Sequence, residues 1–140
     1  MSQLQTAYLK KELIPDRSSL QSAIDSLGFK LKIDSSYVPF ESKGFLPCTL
    51  NEKDAGFEIY FESASEVVKD FPHLVENIGA RDAAISFRWG GNMLECACVL
   101  IVSAALAKLF DAVVHYQDDD LLYTPDKLIK DAKSALDMVD

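Results

Sequence analysis

Two histidines, three cysteines, a run of three aspartates and one Arg-Trp-Gly-Gly-Asn turn are the parts of this 140-residue chain with side chains or spacings suited to chemistry. His73 follows Pro72 in a surface turn. His115 alternates with Val114 and Tyr116 in a strand and faces solvent or a cleft. Neither stands in a nucleophile or metal motif: G-x-S-x-G, H-E-x-x-H and C-x-x-C are all absent. The two histidines read as scattered, with no convergent catalytic set. Cys96 and Cys98 lie two apart in a helical stretch, about 200° round the axis, so they cannot hold a metal together and read as core thiols. Cys48, near a hairpin, reads as more exposed, a lone thiol with no basic neighbour to activate it.

Arg88-Trp89-Gly90-Gly91-Asn92 runs a strand through two glycines into a helix N-terminus, where backbone donors and the helix dipole suit an anion. The third glycine of a dinucleotide site and the lysine of a phosphate loop are missing. A tight turn is the simpler reading. Glu95 suits the dipole in the first turn and is placed to pair with Arg88 across the turn. Arg88, Trp89, Asn92, Glu95 and His115 are the candidate cleft residues. Asp118-Asp119-Asp120 lacks the alternating ligands, glycine and distal glutamate of a calcium loop, so it reads as a solvated loop or as a surface for a basic partner. Glu58, Tyr60 and Glu62 share the outward face of one strand, an acidic strip with an aromatic in it. Such a strip suits protein contact, since tyrosine is enriched at interfaces and acidic groups speed capture of basic partners. With the three aspartates they form the candidate partner-binding set. No metal and no cofactor is expected.

Charge narrows the partners. The net charge is −8. Residues 48–80 carry two basic against seven acidic groups and residues 111–140 three against eight, each a net of −5, while the other segments are near neutral. Nucleic acid and acidic membrane surfaces both need clustered Lys and Arg and are disfavoured. A basic protein partner is allowed, beside the plainer reading that acidity maintains solubility. Three cysteines without secreted-type spacing, and no apolar leader with a cleavage site in Met1–Lys10, point to a cytoplasmic protein with reduced thiols.

The elements that must position these residues centre on 91–110. From Cys96 to Ala107 only Ser103 is polar. Such a run is too long for a typical strand, apolar all round and too short to span a bilayer, so it predicts a buried central helix. Around it the pattern predicts a strand at Thr6–Leu9 and a helix over 18–27 with Ser18-x-x-Gln21 as a capping box and Gly28 as its stop. Next come a strand at Phe29–Ile33 and a loop over 34–43. Strands at 45–50, interrupted by Pro47, and at 56–62 are joined by a turn at 51–54. Ser63–Phe71 predicts a short helix capped by Ser63 or Ser65, and Ala83–Trp89 and Ala112–Tyr116 predict strands. A last helix begins with the Thr124 cap and Pro125. One α+β domain over 1–140 follows, its sheet largely antiparallel or mixed, with helices packed on one face around the central helix. Helix-linked strands leave room for parallel pairs after Gly28 and Phe110.

The sequence of elements Tyr8-Leu9, Ala55-Gly56-Phe57-Glu58, Ala84-Ile85-Ser86-Phe87, Ala104-Ala105-Leu106-Ala107 with Ala112-Val113-Val114, and Tyr123-Thr124-Pro125 resembles small bacterial domains of unknown function found beside polymorphic-toxin genes, many of them taken to be immunity proteins. The resemblance spans most of the chain and is one of layout and hydrophobic pattern. It implies a non-enzymatic protein that neutralises a toxin or effector by direct contact, occluding a basic site with acidic groups. The alternative is an adaptor or small-ligand domain that uses the Trp89–Asn92 turn to bind an anion.

Overall fold

Seven strands form one sheet in the order β2-β3-β4-β5-β1-β6-β7, every pairing antiparallel, in a computed structural model that describes residues 3–139. The strands are β1 Gln3–Leu9, β2 Leu31–Ile33, β3 Gly44–Leu50, β4 Lys53–Ser63, β5 Ala83–Trp89, β6 Val113–Tyr116 and β7 Leu121–Tyr123. Three long helices, α1 Arg17–Ser26, α4 Met93–Leu109 and α5 Pro125–Asp137, accompany two single turns, α2 Ala64–Val67 and α3 Val75–Ile78. This is an α+β fold, as the residue pattern predicts.

Helix α4 is the centre. Every residue from Ala97 to Ala107 is buried. It packs against α1 and α5, and against β1, β4, β5 and β6 beneath. A helix with no polar stripe needs cover on all sides, and flanking helices plus a sheet supply it. Asn92 caps it as predicted, its side-chain oxygen accepting from Leu94 N at 2.7 Å and Glu95 N at 3.2 Å. Thr124 likewise caps α5.

The helix-linked strands run in the same direction but never pair. β5 and β6, joined by α4, flank β1, and α1 carries the chain from β1 to β2 at the far edge. One strand, β1, stands between β5 and β6, and three, β3, β4 and β5, stand between β1 and β2, so each possible parallel ladder is replaced by antiparallel ones. The β3–β4 hairpin turns on Asn51 and Glu52 alone, both at positive φ (51° and 68°), and Lys53 already pairs with Leu50. Pro47 sits inside β3, and β2 pairs only with residues 48–50, so the missing N–H interrupts no ladder.

Several local expectations change. α1 is capped by Asp16, whose carboxylate accepts from Ser19 N at 2.8 Å; the Ser18–Gln21 capping box does not form, and Gln21 is free to reach β2. Ser63 precedes α2 without a side-chain cap bond, and the helix read over 63–71 is one α-turn followed by a 3-10 turn, Val68–Asp70. β2 is shorter than predicted, and β7 has no counterpart in the pattern reading. Cys48 is buried, against expectation, because its parity with Leu46 and Leu50 turns it towards α4.

Candidate functional site

Strand alternation sorts the sheet into two unequal faces. Ala7, Leu9, Leu46, Leu50, Phe57, Ile59, Ile85, Phe87 and Val114 face the long helices and join the main core. The opposite face carries a smaller cluster, Tyr8, Ala84, Ala64, Leu74 and Ile78, where the segment 64–78 lies over the β5, β1 and β6 half. Among the described residues no element covers the β2–β4 half of that face: its outward residues Phe45, Pro47, Glu58 and Tyr60 are exposed or half-buried.

Register lines up a polar row across this second face, from Tyr60 on β4 through Ser86 on β5 and Thr6 on β1 to His115 on β6. The Thr6 and Ser86 hydroxyls lie 3.3 Å apart, and Gln117 Nε2 donates to Thr6 Oγ1 at 2.9 Å. His115, expected to face solvent or a cleft, is instead fully buried under the segment that carries Phe71, its Nε2 2.7 Å from Asp120 Oδ1. His73 Nε2 approaches the same oxygen at 3.0 Å from the covering segment. The ring of Phe71 stands edge-on to His115 with centroids 4.6 Å apart. The histidines that read as scattered in the sequence therefore share one carboxylate. Hydrogen bonds from His115 and then His73 hold the Asp120 carboxyl below its usual range.

His115 Nε2 is committed to Asp120, and its Nδ1 is sealed without a partner. No nitrogen of His115 is presented to solvent to take a substrate proton. Among the described residues no group of three His, Cys, Asp or Glu side chains is placed to hold a metal ion. The cluster instead pins residues 71–73 of the covering segment to the β6–β7 turn. Beneath that segment the Tyr8 hydroxyl is also buried without a partner, and burial, with Asp70 nearby, pushes its pKa up to about 12.

The bare half holds the acidic strip. Glu58 lies directly opposite Arg88 across the β4–β5 ladder and accepts a short hydrogen bond from the Tyr60 hydroxyl. That bond raises the Tyr60 pKa. Glu62 is exposed at the end of the strip. Beside them Phe45 is 63% exposed, the most exposed aromatic ring in the described chain. The tip of its ring lies against Gly56, where an added Cβ would sit 2.2 Å from Phe45 Cζ. Glycine is required here for this close approach, not for its dihedral angles.

The three aspartates are not part of this strip. β5 and β1 separate β4 from β6, about 14 Å of sheet. The triplet itself is split by the sheet edge. Asp120 turns to His115, whereas Asp118 and Asp119 lie near Tyr116 and Tyr123, which share the helix side with Val114. Burial first, then Asp118, pushes the Tyr116 pKa up to about 12.

The candidate cleft residues also separate. Arg88 is exposed on the second face. Trp89 is 5% exposed on the helix side, its ring against Tyr116. Glu95 belongs to α4 on that helix side, and no ion pair joins it to Arg88 among the described residues. Asn92 already takes the first free N–H groups of α4. Phe45, Thr6, Gln117 and the partnership of His73 with Asp120 are the residues that pattern reading passed over. Phe45 carried a signal, because its parity opposes Leu46 and Cys48. His73 carried none, because its partner lies 47 residues further on.

No helix among the described residues is long and apolar enough to cross a membrane. No protein-family model, curated protein or solved structure matches the chain.

Proposed function

We propose that this chain is a non-catalytic immunity-type protein that neutralises a basic toxin or effector by direct contact through the bare β2–β4 half of its sheet. One observation carries the reading: a half-face left uncovered, with Phe45 standing out of it beside the acidic strip Glu58, Tyr60 and Glu62. Aromatic rings such as Phe45 and Tyr60 are enriched at protein contacts, and carboxylates around them speed the capture of a basic partner. Phe45 and Tyr60 supply area, Glu58 and Glu62 supply the field, and the net charge of −8 steers a cationic partner towards them. The inhibitor acts by covering the basic site of its partner. No observation favours the anion-binding alternative at Trp89–Asn92, since Trp89 is buried and Asn92 occupies the helix donors.

The test uses the product of the gene adjacent to this chain's own. Glu58→Gln/Glu62→Gln should slow association and flatten its salt dependence. Phe45→Ala should speed dissociation by tenfold or more, the effect of losing a central aromatic anchor. Unchanged kinetics in both folded variants would refute the bare face as the contact.

A further inference from the structure

The edge of the sheet at β2 is closed in an unusual way. β2 spans only Leu31–Ile33 and pairs with β3 on one side. On its outer side the backbone groups are met by side chains of α1. Gln21 Nε2 donates to Leu31 O at 2.7 Å, and Gln21 Oε1 accepts from Ile33 N at 2.9 Å. Arg17 Nε donates to Ile33 O at 3.0 Å. The Gln21 amide thus makes the donor–acceptor pair that a peptide group of a neighbouring strand would make.

This edge lies in a groove of about 720 Å³, which is within the range of ligand clefts. Its lining holds Arg17, Lys30 and Lys32 against Asp25 and Glu52. That is a net positive site on a chain of charge −8. Neither Lys30 nor Lys32 takes part in an ion pair among the described residues. By strand alternation both point to the second face of the sheet, while Leu31 and Ile33 point to the core.

We propose that the β2 edge is a strand-addition site for an acidic extended segment of a partner protein, with Gln21 as a displaceable plug. An incoming strand of about five residues takes over Leu31 O, Ile33 N and Ile33 O with its own backbone. Alternate acidic side chains then meet Lys30 and Lys32. The amide of Gln21 swings away, keeping its bond to Asp25, which it already makes at 3.0 Å. The site goes beyond the contact face proposed above and does not depend on it, since it lies at the sheet edge and has the opposite charge.

Amide signals of the isotopically labelled protein report the event. The probes are two capped heptapeptides, one alternating glutamate with valine and one alternating lysine with valine, titrated to millimolar concentration. The glutamate peptide should shift Leu31, Ile33 and the Gln21 side-chain amide, and the lysine peptide should leave them in place. Gln21→Ala should tighten binding about fivefold by removing the competing hydrogen bonds. Lys30→Glu/Lys32→Glu, an exposed pair of changes that leaves the core untouched, should reverse the preference between the peptides. No shift at the β2 edge with wild type and Gln21→Ala, or equal shifts with both peptides, would overturn the proposal. So would an unchanged preference in the lysine variant, which decides the matter should Gln21→Ala fail to fold.

Discussion

The two faces of the sheet divide the work of the molecule. The helix-covered face is apolar and closed: α1, α4 and α5 bury it, and side-chain hydrogen bonds tie it to α4, from Gln5 Nε2 to Ser103 Oγ at 2.7 Å and from Cys48 Sγ to Cys98 Sγ at 3.5 Å, between groups that satisfy each other. The second face is half clamped and half open. Its clamped part includes two buried atoms with no partner, Tyr8 Oη and His115 Nδ1, and its exposed part carries Phe45 and the acidic strip. Two strand residues in succession can therefore have opposite costs of change. The comparison teaches that stability is concentrated on one face, which leaves the other able to carry polar groups in unfavourable surroundings.

The sharpest way to break this division is at the centre of the first face. Ile101 is fully buried, and Ile101→Asp should prevent folding, because an unpaired buried carboxylate costs several kcal/mol, comparable with the whole stability of a domain. A soluble variant with an unchanged melting temperature would contradict the central role of α4. A smaller loss is expected on the second face at Gly56→Ala, about 1–3 kcal/mol by denaturant titration, since the new methyl meets the Phe45 ring and, at 2.8 Å, the carbonyl oxygen of Leu46. Phe45→Ala in the same chain should recover part of that loss and leave the backbone part.

The sign should reverse at Tyr8. Removing a buried hydroxyl that has no partner sheds a desolvation cost, so Tyr8→Phe should leave stability unchanged or raise it by up to about 1 kcal/mol. A loss above that would mean the hydroxyl is satisfied in solution. The smallest effect belongs to Asp120→Asn, which keeps an acceptor for both histidines and suits the positive φ of 53° but removes the charge. The Asp120 carboxyl is depressed in the folded state, so its contribution is present above the unfolded carboxylate value of about 3.9 and lost as pH falls through the lower folded value. The variant should melt below the wild type at pH 7, and the gap should close in acid.

Which features were legible in advance follows from how local their causes are. The burial of 97–107 was visible because eleven consecutive positions without a charge are apolar on every side and too few to span a bilayer. The Asn92 and Thr124 caps, the β3–β4 hairpin, and the outward parity of Glu58, Tyr60 and Glu62 rest on neighbours within a few residues. They could be read directly. The α1 start was misplaced because Asp16 and Ser18 offer equivalent local caps, and the choice went to the one that left Gln21 free for β2.

What the chain alone determined is periodicity: which residues share a face of a strand or helix and, α1 apart, where the long helices begin. Those depend on the alternation of strands and the pitch of helices, properties of successive residues. Tertiary structure decided the strand order, and with it every relation between distant residues. Only the order β5-β1-β6 brings Ser86, Thr6 and His115 into one row. Only the path of residues 64–78 over that row sets His73 on the Asp120 oxygen that His115 also holds. The same order parts Glu58 from Asp118 and leaves β2 at an edge for Gln21 to close. Strand order is set by the packing of all elements around α4 together, and no local run of residues encodes it.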